Sequence, residues 1–200
     1  SLHAQETARR LELTHKLVIA AINGHCMGGG LEVALACDIR IAKRDGGRLG
    51  LPEINLGLEP GVGGTQRLPR IIGYAKAVEI IATGRAIAFE EAQELGIVHY
   101  VHEPSTFWDE VLTYARQFCP PNKASKAVGR IKRAVQSGLE VPFESGLAIE
   151  RVIDLALKAV PEVEPGILFV ERQFGVLEIH AADADAVERA GEAILAGIGA

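Results

Sequence analysis

The apolar positions of this chain fall into short runs and helical stripes, separated by glycine- and proline-rich breaks. Leu17-Val-Ile-Ala-Ala-Ile22 is wholly apolar and of strand length. Such a run suits a strand buried on both faces. Asn23-Gly24 breaks it, Gly28-Gly29-Gly30 follows, Leu31–Ala36 reads as a helix, and Ile39–Ala42 is the next strand. Strand, glycine-rich turn, helix and strand in that order is the grammar of a crossover unit with parallel strands, and it predicts an α/β fold. Ahead of this unit, Ala4–Leu13 mixes charges with Leu11 and Leu13, the pattern of a surface helix.

Further along, Arg48–Leu51 reads as a short strand stopped by Pro52, and Gly57–Gly64 as irregular chain. Thr65–Ile72 and Ala75–Thr83 are helical, the first with Thr65 as its cap. Phe89–Leu95 is a short helix ended by Gly96, followed by a strand over Ile97–Val101. Thr106–Phe118, Ala124–Ser137 and Phe143–Ala159 continue as helices, the first two split by Pro120-Pro121. Pro161 and Pro165 then mark a linker. Ile167–Val170 and Gly175–Ile179 are strand-like, and Asp183 or Asp185 caps a last helix through Leu195. The pattern divides the chain into a core over 1–103, a helical segment over 104–160 and a strand–strand–helix tail over 161–200.

Composition narrows the class. At 200 residues the chain suits one domain with an appendage. Aromatics are only 5% against 48% apolar residues, so the core must rest on Val, Ile, Leu and Ala. The net charge of −5 argues against a nucleic-acid binder. Cys26, Cys37 and Cys119 form no CxxC pair, which predicts reduced thiols in a cytoplasmic-type compartment, or the mitochondrial matrix if a transit peptide has been removed. Ser1–Arg10 is polar and reads as no secretory signal, and no apolar run is long enough to span a membrane. The histidines lack metal-ligand spacing, so no metal site is expected. Cys26 and Cys37 read as small buried side chains, His25 as a lining or packing residue, and Arg130, Lys132 and Arg133 as a solvated helix face.

Three features could carry chemistry. The run Gly28-Gly29-Gly30 lets backbone N–H groups approach a ligand where a helix begins, making an anion site or an oxyanion hole. The same run also suits a plain tight turn. Glu32 lies in the first turn of that helix, and Glu53 follows Leu51-Pro52 at the end of the next strand-like segment. Parallel crossover units bring such ends to one edge, where two carboxylates could divide into base and acid. A helix-dipole role for Glu32 and a surface ion pair for Glu53 stay open. Finally, Gly57-Leu-Glu-Pro-Gly61-Val-Gly63-Gly64 is a loop able to wrap a ligand or another subunit.

Taken in order, these pieces resemble the enoyl-CoA hydratase (crotonase) family. The resemblance rests on Ala20-Ala21-Ile22-Asn23-Gly24, Gly28-Gly29-Gly30-Leu31-Glu32, Ala36-Cys37-Asp38-Ile39-Arg40-Ile41-Ala42, Leu51-Pro52-Glu53, and Gly61-Val62-Gly63-Gly64-Thr65-Gln66-Arg67-Leu68-Pro69-Arg70. Thr83-Gly84-Arg85 and Ala92-Gln93-Glu94-Leu95-Gly96-Ile97-Val98 extend it. It implies a crotonase-like ββα spiral followed by helices, and hydration of 2-enoyl-CoA thioesters to 3-hydroxyacyl-CoA. Gly29 matches the family's second oxyanion donor, with Gly28 and Gly61 as further oxyanion or substrate-binding positions. Glu32 and Glu53 match its two catalytic glutamates, Glu53 giving a proton to Cα and Glu32 helping to activate water. No cofactor is implied beyond the CoA of the substrate.

The chain departs from the family pattern in two places. The family normally has about a hundred residues before this point, by its usual single-domain size, and they hold the first oxyanion donor and much of the CoA surface. The tail over 161–200 also differs from the family's usual terminal helices. The expected partners are therefore an acyl-CoA substrate and further copies of the chain, as trimer or hexamer, or a second chain supplying the N-terminal half. Nucleic acid and membrane are not expected. The rival functions are another crotonase reaction, such as isomerisation or thioester hydrolysis, and a non-catalytic or partner-dependent subunit.

Overall fold

In a computed structural model, the chain is described over residues 2–119, 121–123, 125–158, 167–173 and 176–181. It opens with helix α1 (Leu2–Leu13) and strand β1 (Leu17–Ile22). A two-residue strand β2 (Cys26–Met27) leads into helix α2 (Gly29–Ala36), then β3 (Ile39–Lys43) and β4 (Arg48–Gly50). A 3-10 turn (Glu53–Leu56), helices α3 (Gly64–Ile72) and α4 (Tyr74–Thr83), strand β5 (Ile87–Ala88), helix α5 (Phe89–Glu94) and strand β6 (Tyr100–His102) follow. Helices α6 (Phe107–Arg116), α7 (Ser125–Gly138) and α8 (Phe143–Lys158) precede the hairpin β7 (Ile167–Gln173) and β8 (Val176–Ala181).

The crossover expected from the sequence is present. β1 pairs in parallel with β3, Ile19 opposite Ile39, and β3 pairs in parallel with β6. β7 joins the other edge of β1 in parallel and turns back antiparallel as β8, giving the order β6-β3-β1-β7-β8. The strands of the tail thus extend the core sheet. A second sheet, β2-β4-β5, lies beside the start of α2. The alternation of β1 explains its unbroken apolar sequence. Val18, Ala20 and Ile22 pack with Leu31 and Leu35 in the larger core, while Ile19 and Ala21 meet Ile41, Phe107 and Val111 in a smaller one.

Several expectations change. Ile97 and Val98 are buried but unpaired as strand, because their N–H groups return to Ala92 O at 2.8 and 3.1 Å. With Gly96 at φ 78°, they close α5 rather than begin β6. Gly63, not Thr65, is the residue before α3, and Pro69 lies inside that helix. Arg67-Leu68-Pro69 is therefore part of α3. The helix does not reach back to Ile54, since Gly57–Gly63 intervenes as expected. The tail helix proposed near Asp183 and the linker at Pro161 and Pro165 lie outside the described residues.

Lys132 is the largest departure. It is buried rather than solvated, and its Nζ meets Asp38 Oδ2 at 2.8 Å, Leu11 O at 2.9 Å and Lys16 O at 3.0 Å. Asp38 Oδ2 also accepts the Val18 N–H at 2.7 Å, so one ion pair ties α7 to α1 and β1. Burial pushes the Asp38 carboxyl above the ordinary carboxylate range even with Lys132 pulling against it. Arg40, also buried, donates to Ile97 O, Ala34 O and Cys37 O, closing the C-terminal end of α2. Cys26 and Cys37 are buried thiols, as expected, and burial pushes Cys37 up to about 12.

Candidate active site

The site is built around one turn. Gly28 adopts φ 55° and ψ −131°, and its carbonyl accepts the N–H groups of Leu31 and Glu32. Its own N–H donates to Gly50 O at 2.9 Å, continuing the β2–β4 ladder. Gly28 is thus no oxyanion donor: its contribution is conformation and space. Gly29 opens α2 at an exposed position, and its N–H has no backbone partner among the described residues. It is an unpaired backbone donor at the positive end of the helix dipole, at an exposed position.

The two glutamates come from different elements. Glu32 sits one helical turn into α2 and is only 1% exposed. Its Oε1 accepts the backbone N–H of Val62 and of Gly64, each at 2.7 Å. These bonds bring the Gly57–Gly64 loop onto α2. Gly64 must be a glycine for a steric reason, since a Cβ there would lie 2.9 Å from Leu51 Cδ1 and 3.1 Å from Glu32 Cγ and Oε1. With Oε1 committed to two donors, Oε2 is left as the oxygen through which Glu32 can exchange a proton.

Glu53 begins the 3-10 turn after β4, where Leu51 anchors the chain in the core. Its Oε1 lies 3.0 Å from the place a Cβ on Gly28 would occupy. The carboxylate therefore rests against the Gly28 turn, next to the start of α2. Its Oε2 is buried and has no hydrogen-bond partner among the described residues. A buried carboxylate oxygen left unpaired is costly.

A small, partly open cavity of about 30 Å³ lies at the end of β1, lined by residues 20–26 with Gly30, Val33 and Ala34. Neither carboxylate lines it. The Glu53 carboxylate lies against the Gly28 turn, and the Glu32 carboxylate against the amides of Val62 and Gly64. Gly61 lies in the loop that holds Glu32, and its carbonyl accepts Gln5 Nε2 at 2.8 Å. His25, an exposed residue in the lining of that cavity, accepts the Arg48 N–H through Nδ1 at 3.2 Å. Among the described residues no cluster of His, Cys, Asp or Glu could hold a metal ion, and no helix is long and apolar enough to cross a membrane.

Comparison with known proteins adds the family. The family model for enoyl-CoA hydratase/isomerase matches residues 1–175. The chain belongs to that family. It is similar to the short-chain-enoyl-CoA hydratase of Clostridium acetobutylicum, 43% identical over 142 residues that make up 71% of this chain and 53% of the relative. Among solved structures, an enoyl-CoA hydratase from Geobacillus kaustophilus HTA426 superposes with a TM-score of 0.76 at 34% identity, covering 86% of this chain and 67% of the other. A hydratase-family protein from Thermobifida fusca YX, solved in complex with CoA, gives a TM-score of 0.71 at 30% identity, over 78% and 59% of the two chains. The fold is crotonase-like. The chain spans about half the length of most of the curated relatives it matches.

What sequence reasoning missed is the support around Glu32. The amides of Val62 and Gly64 carry no side-chain signature, and only the density of glycines in that loop hinted at a close backbone approach.

Proposed function

We propose that this chain acts in the reversible hydration of 2-enoyl-CoA thioesters to 3-hydroxyacyl-CoA. The observation that carries the reading is the Glu53 carboxylate resting against the Gly28 turn, its Oε2 buried without a partner among the described residues, while Glu32 in the first turn of the helix that follows is clamped through Oε1. The Gly29 N–H polarises the thioester carbonyl, which gains negative charge as water adds to Cβ. Glu32 Oε2 takes a proton from that water and Glu53 delivers one to Cα, so the two acids exchange roles in the reverse direction. The CoA moiety enters with the substrate, and the reaction calls for no metal or redox cofactor.

The family name covers isomerases as well as hydratases. Retention of both glutamates favours hydration, because shifting a double bond needs one proton shuttle and no activated water. Incubation with a 2-enoyl-CoA and, separately, a 3-enoyl-CoA tests this directly. Conversion of the first to the 3-hydroxy product supports hydration. Interconversion of the two enoyl substrates without uptake of water would establish an isomerase instead.

A partner-dependent form of the same reading has its own support in exposed apolar surface. Ile131 and Val135 on α7, Leu139 just after it, and Phe143, Val152 and Leu155 on α8 are exposed. Assembly as trimer or hexamer, or with a second chain, belongs to this proposal. Sedimentation of the protein at working concentration checks it, and a lone monomer with full activity would contradict it.

A further inference from the structure

The loop that clamps Glu32 is itself poorly suited to hold a fixed shape. It contains Gly61, Gly63 and Gly64, with Gly63 at φ 105°. Glycines lose more freedom on ordering than other residues, so something outside the loop must fix the Val62 and Gly64 amides. The structure shows what does so. Arg67 Nη1 donates to Val62 O at 2.7 Å, and Arg67 Nε donates to Glu12 Oε1 at 2.6 Å. Arg9 reaches the other oxygen of Glu12 at 3.2 Å. The Arg67 guanidinium lies against Gly63, where any Cβ would collide with Nη1.

A second hold comes through one peptide plane. In a trans peptide the C=O and N–H point in opposite directions. The Gly61–Val62 peptide uses its carbonyl to accept Gln5 Nε2 and its N–H to bind Glu32 Oε1. The plane is pinned between α1 on one side and the glutamate on the other. The Gly63–Gly64 peptide is held differently, because Gly63 O accepts the N–H groups of Gln66 and Arg67 as α3 begins.

We infer that α1 and Arg67 form a latch that positions the Glu32 carboxylate, with Arg67, Glu12 and Gln5 acting as positioning residues through the backbone of the Gly61–Gly64 loop. The inference rests on the catalytic reading of Glu32, but the latch can be read without turnover. Arg67 and Glu12 are each only 16% exposed, so the pair is sheltered from the screening that weakens surface ion pairs. Two donors on a single carboxylate oxygen leave the carboxylate little freedom to rotate. Displacement of a catalytic group by a fraction of an ångström lowers turnover more than binding.

The test is amide hydrogen exchange on the full chain, read by NMR, alongside hydration kinetics. Arg67→Met should speed exchange at Val62 and Gly64 by about tenfold or more, the scale of a lost charge-assisted hydrogen bond, while α2 and β3 amides keep their protection. Arg67→Lys keeps a donor for Val62 O or Glu12 and should fall between. Gln5→Leu, at an exposed position that does not threaten folding, should speed exchange at Val62 and leave Gly64 unchanged. In an active chain, Arg67→Met should lower kcat with KM little altered, and Arg67→Lys should restore part of it.

Unchanged exchange at Val62 and Gly64 in both Arg67→Met and Gln5→Leu would overturn the latch. Equal acceleration across the whole core would show Arg67 to be only a stability residue and would also overturn it. Faster exchange at the two amides with normal kcat would overturn the positioning role. Absence of hydration by the unmodified chain would count against the hydratase reading alone, since exchange still decides whether the latch holds the carboxylate.

Discussion

Replacing Gly64 with alanine sets a local preference against a site requirement. Gly64 is the first residue of α3, and its φ is not in the left-handed region, so alanine fits the backbone. Helix propensity alone would favour the change by up to about 1 kcal/mol. The new methyl, however, would lie 2.9 Å from Leu51 Cδ1 and 3.1 Å from Glu32 Cγ and Oε1. Leu51 is fully buried in the main core and has little room to yield. Overpacking of this kind costs about 1–3 kcal/mol, so the net loss of stability should be roughly 0–2 kcal/mol. Function should suffer far more. The group able to move is the Glu32 side chain, and moving it breaks the 2.7 Å bonds from Val62 and Gly64. Losing the placement of one acid–base group should lower kcat by about a hundredfold or more. Thermal unfolding and crotonyl-CoA hydration measure the two effects on the same preparation. Gly138→Ala is the control, since a Cβ there makes only an ordinary 4.0 Å contact with Gly146 Cα. Near-normal hydration by a folded Gly64→Ala variant would refute the steric argument linking this glycine to Glu32.

The other predictions concern stability. Lys132→Met should destabilise the fold by about 3–5 kcal/mol in chemical denaturation, because it strands Asp38 and the carbonyls of Leu11 and Lys16 beside an apolar side chain. An effect under about 1 kcal/mol would mean that the pair behaves as an exposed one. His99 accepts the Arg40 N–H through Nδ1, and burial together with the Arg40 charge lowers its pKa from the ordinary 6.5. The folded state thus prefers the neutral ring. Its contribution is complete above the unfolded value and is lost as pH falls through the folded one. The Tm advantage of the unmodified chain over His99→Gln should therefore shrink as pH is lowered from about 7.5 to about 5. An advantage that stays constant or grows would contradict the assignment.

The parts of this fold legible in the sequence are those in which one residue's surroundings follow from its neighbours along the chain. The unbroken Leu17–Ile22 run foretells a strand covered on both faces, and the glycines before Leu31 foretell the turn into α2. The two-residue strands β2 and β5 are too short to leave a periodic signal. Ile97 and Val98 carry strand-like side chains but close a helix, a choice made by the Gly96 backbone rather than by hydrophobicity. Lys132 is polar by type and buried by circumstance, since its partners come from α1, the residue before β1 and the end of α2. The site shows the same division. Glu32, Glu53 and Gly29 stand out by type and position, whereas the Val62 and Gly64 amides and the Gln5, Glu12 and Arg67 supports emerge only once α1 and the loop are side by side.

The central claim is that Glu32 and Glu53 carry the proton transfers of hydration. The direct measurement is the initial rate of crotonyl-CoA hydration by the unmodified chain and by Glu32→Gln, Glu53→Gln and Glu59→Gln. Glu59 is an exposed acid of the same glycine-rich loop with no assigned proton. The account predicts hydration by the unmodified chain and by Glu59→Gln. It predicts losses of about a hundredfold or more in kcat for each of the other two, with smaller changes in KM. Near-normal hydration in either Glu32→Gln or Glu53→Gln, or none by the unmodified chain, would contradict it.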